Sequence, residues 1–413
     1  MILSDSFLLG LEEVSLRGVF EAALVAPVAA SLTFVGIAIA WSHEHWLHRA
    51  AMKSNRKAEP TNHQTLAAKS RRGTGAPPEL SLVVCIRNGC IHWQSLWDAL
   101  KKQRGVCWEL VIVDDGSSDG LHTVLKSAKK ETVEFSVQWL EISDSRPGKK
   151  DALKWGIHHA QAENIVVTDV DCHPSSETWL ATLNEEFRKG ADVILGVSLP
   201  LLSSGHGLLG WCEKADALRI ARSYAGWASS GRPYMGVGRN MAYRKELFQG
   251  FSSHDDLPSG DDDLLIQSWL GLPDLQVVPM IHRSSQTDTH APATWAAWSR
   301  QKQRHLTTAW RYSVLHQWGL TLPRVASVLI WVAAGVWICL ALKEGVLHNV
   351  LWILSVVLTG GWAWRMLNFR SFAQACGAPS SWYWLGWVQP VVDAWLGWQI
   401  QKSRGVRKSN TWD

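Results

Sequence analysis

Apolar residues in this chain fall into short runs through its middle and long runs near its ends. Runs centred on Leu82, Leu110, Val137, Ile165 and Val193 alternate with helix-like stretches such as Gln94 to Gln103 and Gly120 to Lys130. That alternation predicts an α/β sheet, and in such sheets ligands collect at the carboxyl ends of the strands. Arg87-Asn88, Asp114-Asp115 and Asp169-Val170-Asp171 each come directly after a strand-like run, so all three are expected at one edge. Gly73-Thr74-Gly75-Ala76-Pro77-Pro78 reads as a linker ahead of the first strand.

The long runs predict membrane segments. Val19 to Trp41 is mainly apolar, interrupted by Glu21 and Pro27, and long enough to cross a bilayer. A signal sequence fits less well, because the run is long and its N-terminal flank is not basic. Arg49, Lys53, Arg56, Lys57, Lys69, Arg71 and Arg72 come after it, which places the chain beyond this span on the cytoplasmic side. Val325 to Leu342 and Val346 to Ala363, separated only by Lys343-Glu344-Gly345, predict a helical hairpin across the membrane. Trp382 to Ile400 contains Gln389, Pro390 and Asp393 and precedes Lys402, Arg404, Arg407 and Lys408. Its Trp384, Trp387, Val391, Trp395 and Trp398 share one helical face, the pattern of a helix lying along the inner leaflet. The expected organisation is an N-terminal span over residues 1–45 and a basic segment with linker over 46–78. An α/β catalytic domain occupies 79–322, then a membrane hairpin 323–366 and an interfacial helix with basic tail 367–413.

Composition narrows the function. A formal charge of +4 with no basic stripe in the middle of the chain argues against a nucleic-acid partner. Seven cysteines without CxxC spacing fit neither a zinc site nor a disulfide scaffold, and read as reduced thiols facing the cytosol. Twenty-six tryptophans, many in the last third, suit a membrane interface. For Trp211, Trp227 and Trp269 core packing is the expected role.

Asp169 and Asp171, two carboxylates at the lip of a strand, offer the hard oxygen ligands that suit Mg²⁺ or Mn²⁺, an ion most useful beside a departing diphosphate. They stand in ordered company: Leu80 to Gly89; Glu109 to Asp119; Arg146-Pro147-Gly148-Lys149-Lys150-Asp151; Gly238-Arg239-Asn240; Ser259-Gly260-Asp261-Asp262-Asp263; and Gln301-Lys302-Gln303-Arg304-His305. Taken together, these resemble the inverting glycosyltransferases of family 2, the membrane-bound bacterial kind. The resemblance implies a GT-A catalytic domain, Rossmann-like with a mixed sheet, flanked by transmembrane helices.

It also implies roles. Asp114 and Asp115 would belong to the nucleotide pocket, with Arg87 and Asn88 shaping its floor, although Asp114-Asp115-Gly116-Ser117 also reads as a turn into a helix. Lys149 and Lys150 open a helix after Pro147-Gly148 and are placed for phosphate, Lys150 in particular; paired lysines are also common on solvated faces. Asp169 and Asp171 would hold the ion, and His173 reads either as a residue supporting those ligands or as a loop residue. Aligned on Leu264, the general base falls on Asp262, with Asp261 or Asp263 as acceptor contact or helix cap. Gln301 to His305 matches a QxxRW pattern with histidine in place of tryptophan, which weakens the case for a long-chain synthase. Gln301, Arg304 and His305 are assigned to the acceptor and diphosphate, Arg304 as a planar donor fork, while an amphipathic helix at the membrane surface is the other reading.

The sequence therefore predicts a metal-dependent inverting glycosyltransferase. Its donor is expected to be a nucleotide sugar, a UDP-sugar foremost, and its acceptor a membrane-proximal, lipid-linked or glycan molecule in contact with membrane lipids. Its expected location is the bacterial cytoplasmic membrane, with several spans and the catalytic domain facing the cytoplasm. A processive polysaccharide synthase and a nucleotide-sugar-binding scaffold without catalysis are the rivals; three spans are few for the first, and binding alone does not need Asp262.

Overall fold

The computed structural model describes residues 35–53, 77–142, 148–201, 207–251, 257, 259–343, 347–385, 392 and 395. The chain divides into two compact units, one formed by Leu47–Ser313 with Met366–Asp413 and the other by Met1–Trp46 with Val314–Arg365.

The larger unit is built on a seven-stranded sheet. In chain order its strands are β1 (Leu80–Ile86), β2 (Trp108–Asp114), β3 (Ser136–Glu141), β4 (Asn164–Asp169), β6 (Val193–Gly196), β8 (Met241–Arg244) and β9 (Val277–Met280). They lie side by side in the order β3-β2-β1-β4-β8-β6-β9. The first four are parallel, while β8 runs antiparallel to both β4 and β6, so the sheet is mixed. A second, three-stranded sheet pairs β10 (Thr287–His290) with β5 (Cys172–Pro174) and β7 (Ser198–Leu201).

β1 and β2 are buried along their whole length, which is why they read as mainly apolar runs rather than alternating ones, with the buried Ser81 Oγ donating to Glu109 Oε1 between them at 2.5 Å. Their alternate residues serve opposite faces of the sheet. Leu82, Val84, Leu110 and Ile112 join a core with α1 (Cys90–Leu100), α2 (Leu121–Ala128) and α4 (Trp179–Arg188), through Trp93, Trp97, Leu121, Leu125, Trp179 and Phe187. Val83, Val111 and Val113 face α3 (Lys149–His159), which seats Gly156 directly on them; a Cβ there would lie 2.6 Å from Val83 and 2.9 Å from Val113. Helices thus cover both faces, and α1 and α2 lie close to the stretches predicted for them. Of three tryptophans expected in the core, Trp227 and Trp269 are buried, whereas Trp211 on α5 (Gly207–Ser229) is 47% exposed.

The smaller unit contains the start of the helix over residues 35–53, α8 (Val314–Lys343) and α9 (Leu347–Ala375) as far as Arg365. Both long helices extend well beyond the apolar runs that predicted them, and α8 carries Pro323 inside it. Gly361 lets α9 close on the first helix, where a Cβ would meet the Trp41 ring at 2.3 Å. Among the described residues no helix is long and apolar enough to cross a membrane. Residues 19–34 of the first expected span, and most of Trp382 to Ile400 with its basic tail, lie outside the described residues.

Candidate active site

The carboxyl ends of β1, β2 and β4 meet as the sequence predicts, and the loops after β1 and β2 are tied together. Asn88 takes a left-handed backbone conformation, with φ of 53°. Its N–H donates to Ser117 Oγ at 2.9 Å and its Oδ1 accepts from Ser118 N at 2.9 Å. Arg87, partly exposed, pairs with the buried Asp115 at 3.3 Å. Asp114, buried, accepts from Ser117 N at 3.0 Å and so forms the turn after β2. Asn88 therefore bonds one loop to the other.

At the end of β4, Asp169 and Asp171 with Cys172 bring their ligand atoms within 4.8 Å of one another. The donor chemistry fits a hard divalent ion. Burial, with Asp171 and Asp169 nearby, pushes the Cys172 thiol well above its ordinary value, so it stays protonated and the two carboxylates are the ligands on offer. Asp171 is positioned from the second sheet: Thr289 Oγ1 donates to its Oδ2 at 3.2 Å and His290 N to its carbonyl at 3.3 Å. The His290 ring lies 4.9 Å from that of His92, whose imidazole burial lowers more than Asp171 raises it. Thr289, His290 and His92 carry no sequence signal, since no motif surrounds them; the β5–β10 pairing sets Thr289 opposite Cys172, and His92 comes from α1.

The contact that joins the two acidic motifs is made by Lys149. Its Nζ lies 2.6 Å from Asp169 Oδ1 and 3.1 Å from Asp261 Oδ2, so one ammonium bridges the DxD pair and the Asp261-Asp262-Asp263 run. Lys150, the expected phosphate ligand, sits elsewhere: it is 1% exposed, and its Nζ donates to Leu257 O at 3.0 Å with the Phe251 ring 5.8 Å away. Gly148, with φ of 84°, turns the chain into α3 and sets which lysine faces the carboxylates.

The three aspartates differ in their surroundings. Burial would raise Asp261, but Lys149, helped by Arg304, holds its carboxyl below the usual range. Asp263 is buried and accepts from Tyr312 Oη at 2.7 Å and from Thr308 Oγ1. Asp262 caps α6 (Asp263–Ser268), its Oδ1 accepting from Asp263 N at 2.8 Å and its Oδ2 from Gly238 N at 2.9 Å. Burial, then its like-charged neighbours Asp261 and Asp263, push the Asp262 carboxyl up to about 7, where it can both hold and release a proton near neutral pH.

Gly238-Arg239-Asn240 supports this arrangement. Buried Asn240 donates to Val197 O and Ser285 O, each at 2.8 Å, and accepts from Trp179 Nε1 at 3.2 Å. Thr168 Oγ1 donates to Arg239 O at 2.8 Å, tying the loop to β4. Gln301 to His305 lie on α7 (Trp295–Leu306), capped by Thr294, whose side chain accepts from Ala297 N at 3.2 Å. Arg304 and His305 are exposed there, whereas Gln301 lines a cavity between α7 and α5. Trp298 stacks on Trp395 at 4.3 Å and 5°, so that member of the expected membrane-facing tryptophan stripe packs on protein.

Comparison with known proteins places this geometry in a family context. Residues 81–248 match the family described as Glycosyl transferase family 2. Among solved structures the chain is similar to the mannosyltransferase PcManGT from Pyrobaculum calidifontis in complex with GDP-Man and Mn²⁺, with a TM-score of 0.57 and 17% identity over 91% of this chain and 100% of that one. S. aureus TarS matches at a TM-score of 0.39 and 14% identity, over 79% of this chain and 54% of that one. M. tuberculosis glucosyl-3-phosphoglycerate synthase in complex with Mn²⁺, UDP and glucosyl-3-phosphoglycerate matches at 0.38 and 15%, over 61% and 83%. The first of these similarities shows the α/β fold with its mixed sheet to be of the GT-A kind. No curated protein matches the chain in sequence.

Proposed function

Starting from a chain that is a glycosyltransferase, with a family 2 domain over residues 81–248, we propose that it transfers a sugar with inversion from a nucleoside-diphosphate sugar to a membrane-proximal or lipid-linked acceptor. The observation that carries this reading is the Lys149 bridge between Asp169 and Asp261, which sets a candidate ion site beside a carboxyl poised near neutrality. Asp262 takes the proton of the acceptor hydroxyl, the oxygen attacks the anomeric carbon, and the bond from that carbon to the diphosphate breaks in the same displacement. Lys149 and Arg304 supply positive charge toward the departing diphosphate, with Lys149 taking the place the sequence assigned to Lys150. A divalent ion held by Asp169 and Asp171 would neutralise that leaving group. Mn²⁺ and GDP-Man in the complex of the Pyrobaculum enzyme, which shares the fold, support an Mg²⁺ or Mn²⁺ requirement and a nucleotide-sugar donor. UDP-sugars remain the first donors to test, on the family resemblance.

Localisation belongs to the same proposal. The apolar run from Val19 and the basic residues after it, Arg49 to Arg72, support an enzyme of the bacterial cytoplasmic membrane with its catalytic unit on the cytoplasmic side. The test is release of nucleoside diphosphate from a panel of UDP- and GDP-sugars by detergent-solubilised protein with Mn²⁺ or Mg²⁺. Release from no donor with either ion sinks the proposal.

A further inference from the structure

The last turns of α9, from Met366 onward, belong to the larger unit, and Phe369, Phe372, Ala373 and Cys376 are buried in it. The helix closes on Gly377, left-handed with φ of 64°, whose N–H donates to Gln374 O at 2.9 Å while Ala378 N donates to Ala373 O at 3.0 Å. That closure leaves the Cys376 carbonyl to a side chain from elsewhere in the unit. Gln286 Nε2 donates to it at 2.7 Å.

Gln286 is fully buried, and its amide is engaged on both sides. Nε2 also donates to Ile281 O at 2.7 Å, and Oε1 accepts from Arg283 Nη1 at 3.1 Å. The Arg283 guanidinium grips Asp288 as a fork, Nη1 to Oδ1 at 2.7 Å and Nη2 to Oδ2. Arg283 also packs on Gly377, where a Cβ would lie 3.2 Å from the arginine Cβ. Asp288 and Thr289 are neighbours on β10, the central strand of the three-stranded sheet, so their side chains leave it on opposite faces. One is held by Arg283 and the other holds Asp171. The Thr289 hydroxyl reaches the Asp171 carboxylate at 3.2 Å, already long for such a bond, so a shift of a few tenths of an ångström in β10 gives it up.

We propose that Gln286 and Arg283 are positioning residues for the ion site: by fixing β10 against the end of α9 they aim Asp171 through Thr289. The assignment rests on the reading of Asp169 and Asp171 as ligands of a divalent ion. It makes the second carboxylate of that pair depend on a segment far outside the matched region 81–248, at residues 376–378. A joint that only cements the fold would cost stability when broken and leave the ion's affinity unchanged; a joint that aims Asp171 costs affinity as well.

Titration of Mn²⁺ into the full chain in detergent, followed by electron paramagnetic resonance alone and with UDP or GDP, reads ion affinity apart from turnover, with thermal melts beside it. Thr289→Val, which removes the bond to Asp171, should weaken Mn²⁺ binding about tenfold or more, the usual cost of losing a partner of a metal-bound carboxylate. Gln286→Met should weaken it by about fivefold or more, the worth of one hydrogen bond. The double variant should bind within about twofold of Thr289→Val, because two residues acting through one bond do not add. Arg283→Lys, which keeps a charge at Asp288 without the fork, should bind Mn²⁺ more tightly than Arg283→Met. Gly377→Ala is strained at its φ and presses on Arg283, so it disturbs the same joint from α9 and should also weaken binding; it decides if Gln286→Met does not fold. Variants that melt lower yet bind Mn²⁺ like the parent, or losses that add fully to that of Thr289→Val, overturn the positioning role. A parent that binds no Mn²⁺ overturns the ion reading with it, whereas nucleoside diphosphate release from donor sugars, measured separately in EDTA, decides whether the chain is a glycosyltransferase without an ion.

Discussion

Exchanging Lys149 for methionine removes the one ammonium that joins Asp169 to Asp261 while keeping the length of the side chain. At 2.6 and 3.1 Å each ion pair has a gross attraction of about 5–6 kcal/mol at an effective dielectric of ~20, before desolvation is subtracted. The three side chains are 20%, 29% and 15% exposed, so water screens part of this. The kinetic effect is set by what Lys149 does for a developing diphosphate charge. A hydrogen bond to a charged group is worth about 1.5–3 kcal/mol, which converts to a fall in kcat/KM of roughly 10- to 150-fold. Lys150→Met is the matched comparison, because that lysine is buried and bonded to Leu257 O. Losing that donor should cost about 1–3 kcal/mol of stability, a drop in Tm of a few degrees at roughly 2–4 °C per kcal/mol. The surviving folded fraction should turn over normally. Nucleotide-release kinetics and thermal melts on both variants make the check. A Lys149→Met enzyme with full kcat/KM, or a Lys150→Met enzyme that melts like the parent and has lost transfer, refutes the placement.

Other substitutions probe the base, the ion, the packing and the topology. Asp262→Asn should keep nucleotide binding and lose transfer by about two to four orders of magnitude; a silent Asp261→Asn beside an active Asp262→Asn would move the base by one residue. In the parent enzyme kcat/KM should rise with pH through about 7 and then level off; and because the folded carboxyl titrates at about 7 against 3.8 ordinarily, its contribution to stability is full below 3.8 and lost as pH climbs through 7, a slope that Asp262→Asn should flatten in melts. Asp171→Ala and EDTA treatment should each abolish transfer, and undiminished activity in EDTA removes the ion from the reaction. Gly156→Ala forces a methyl against Val83 and Val113 and should lower stability by about 1–3 kcal/mol in chemical denaturation, with an unchanged midpoint refuting the packing. A Ser409→Cys tail should resist an impermeant thiol reagent in intact cells and react after lysis; labelling in intact cells would put the tail outside.

The elements that carry chemistry were readable because they obey local rules. β1, β2 and β4 are short, mainly apolar runs ended by polar loops, as strands covered by helices on both faces tend to be. The pattern therefore announced both the sheet and the edge at which Arg87, Asp115 and Asp169 meet. The aspartate run Asp261 to Asp263 was legible as a motif, though which member becomes the base depends on partners far along the chain: Lys149 for Asp261, Gly238 for Asp262, and Thr308 with Tyr312 for Asp263. Adjacent residues on a helix point about 100° apart, so choosing between Lys149 and Lys150 required knowing where Leu257 and Asp261 lie. The same holds for Asp171, whose partners Thr289 and His290 arrive through a strand pairing with no signature in the sequence, and for Gln286, which reads as an ordinary polar position until the end of α9 is placed beside it. Local composition determines which segments become strands and helices; contacts between residues distant in sequence decide which of their side chains share a cleft, because burial and neighbouring charge are properties of the assembled fold.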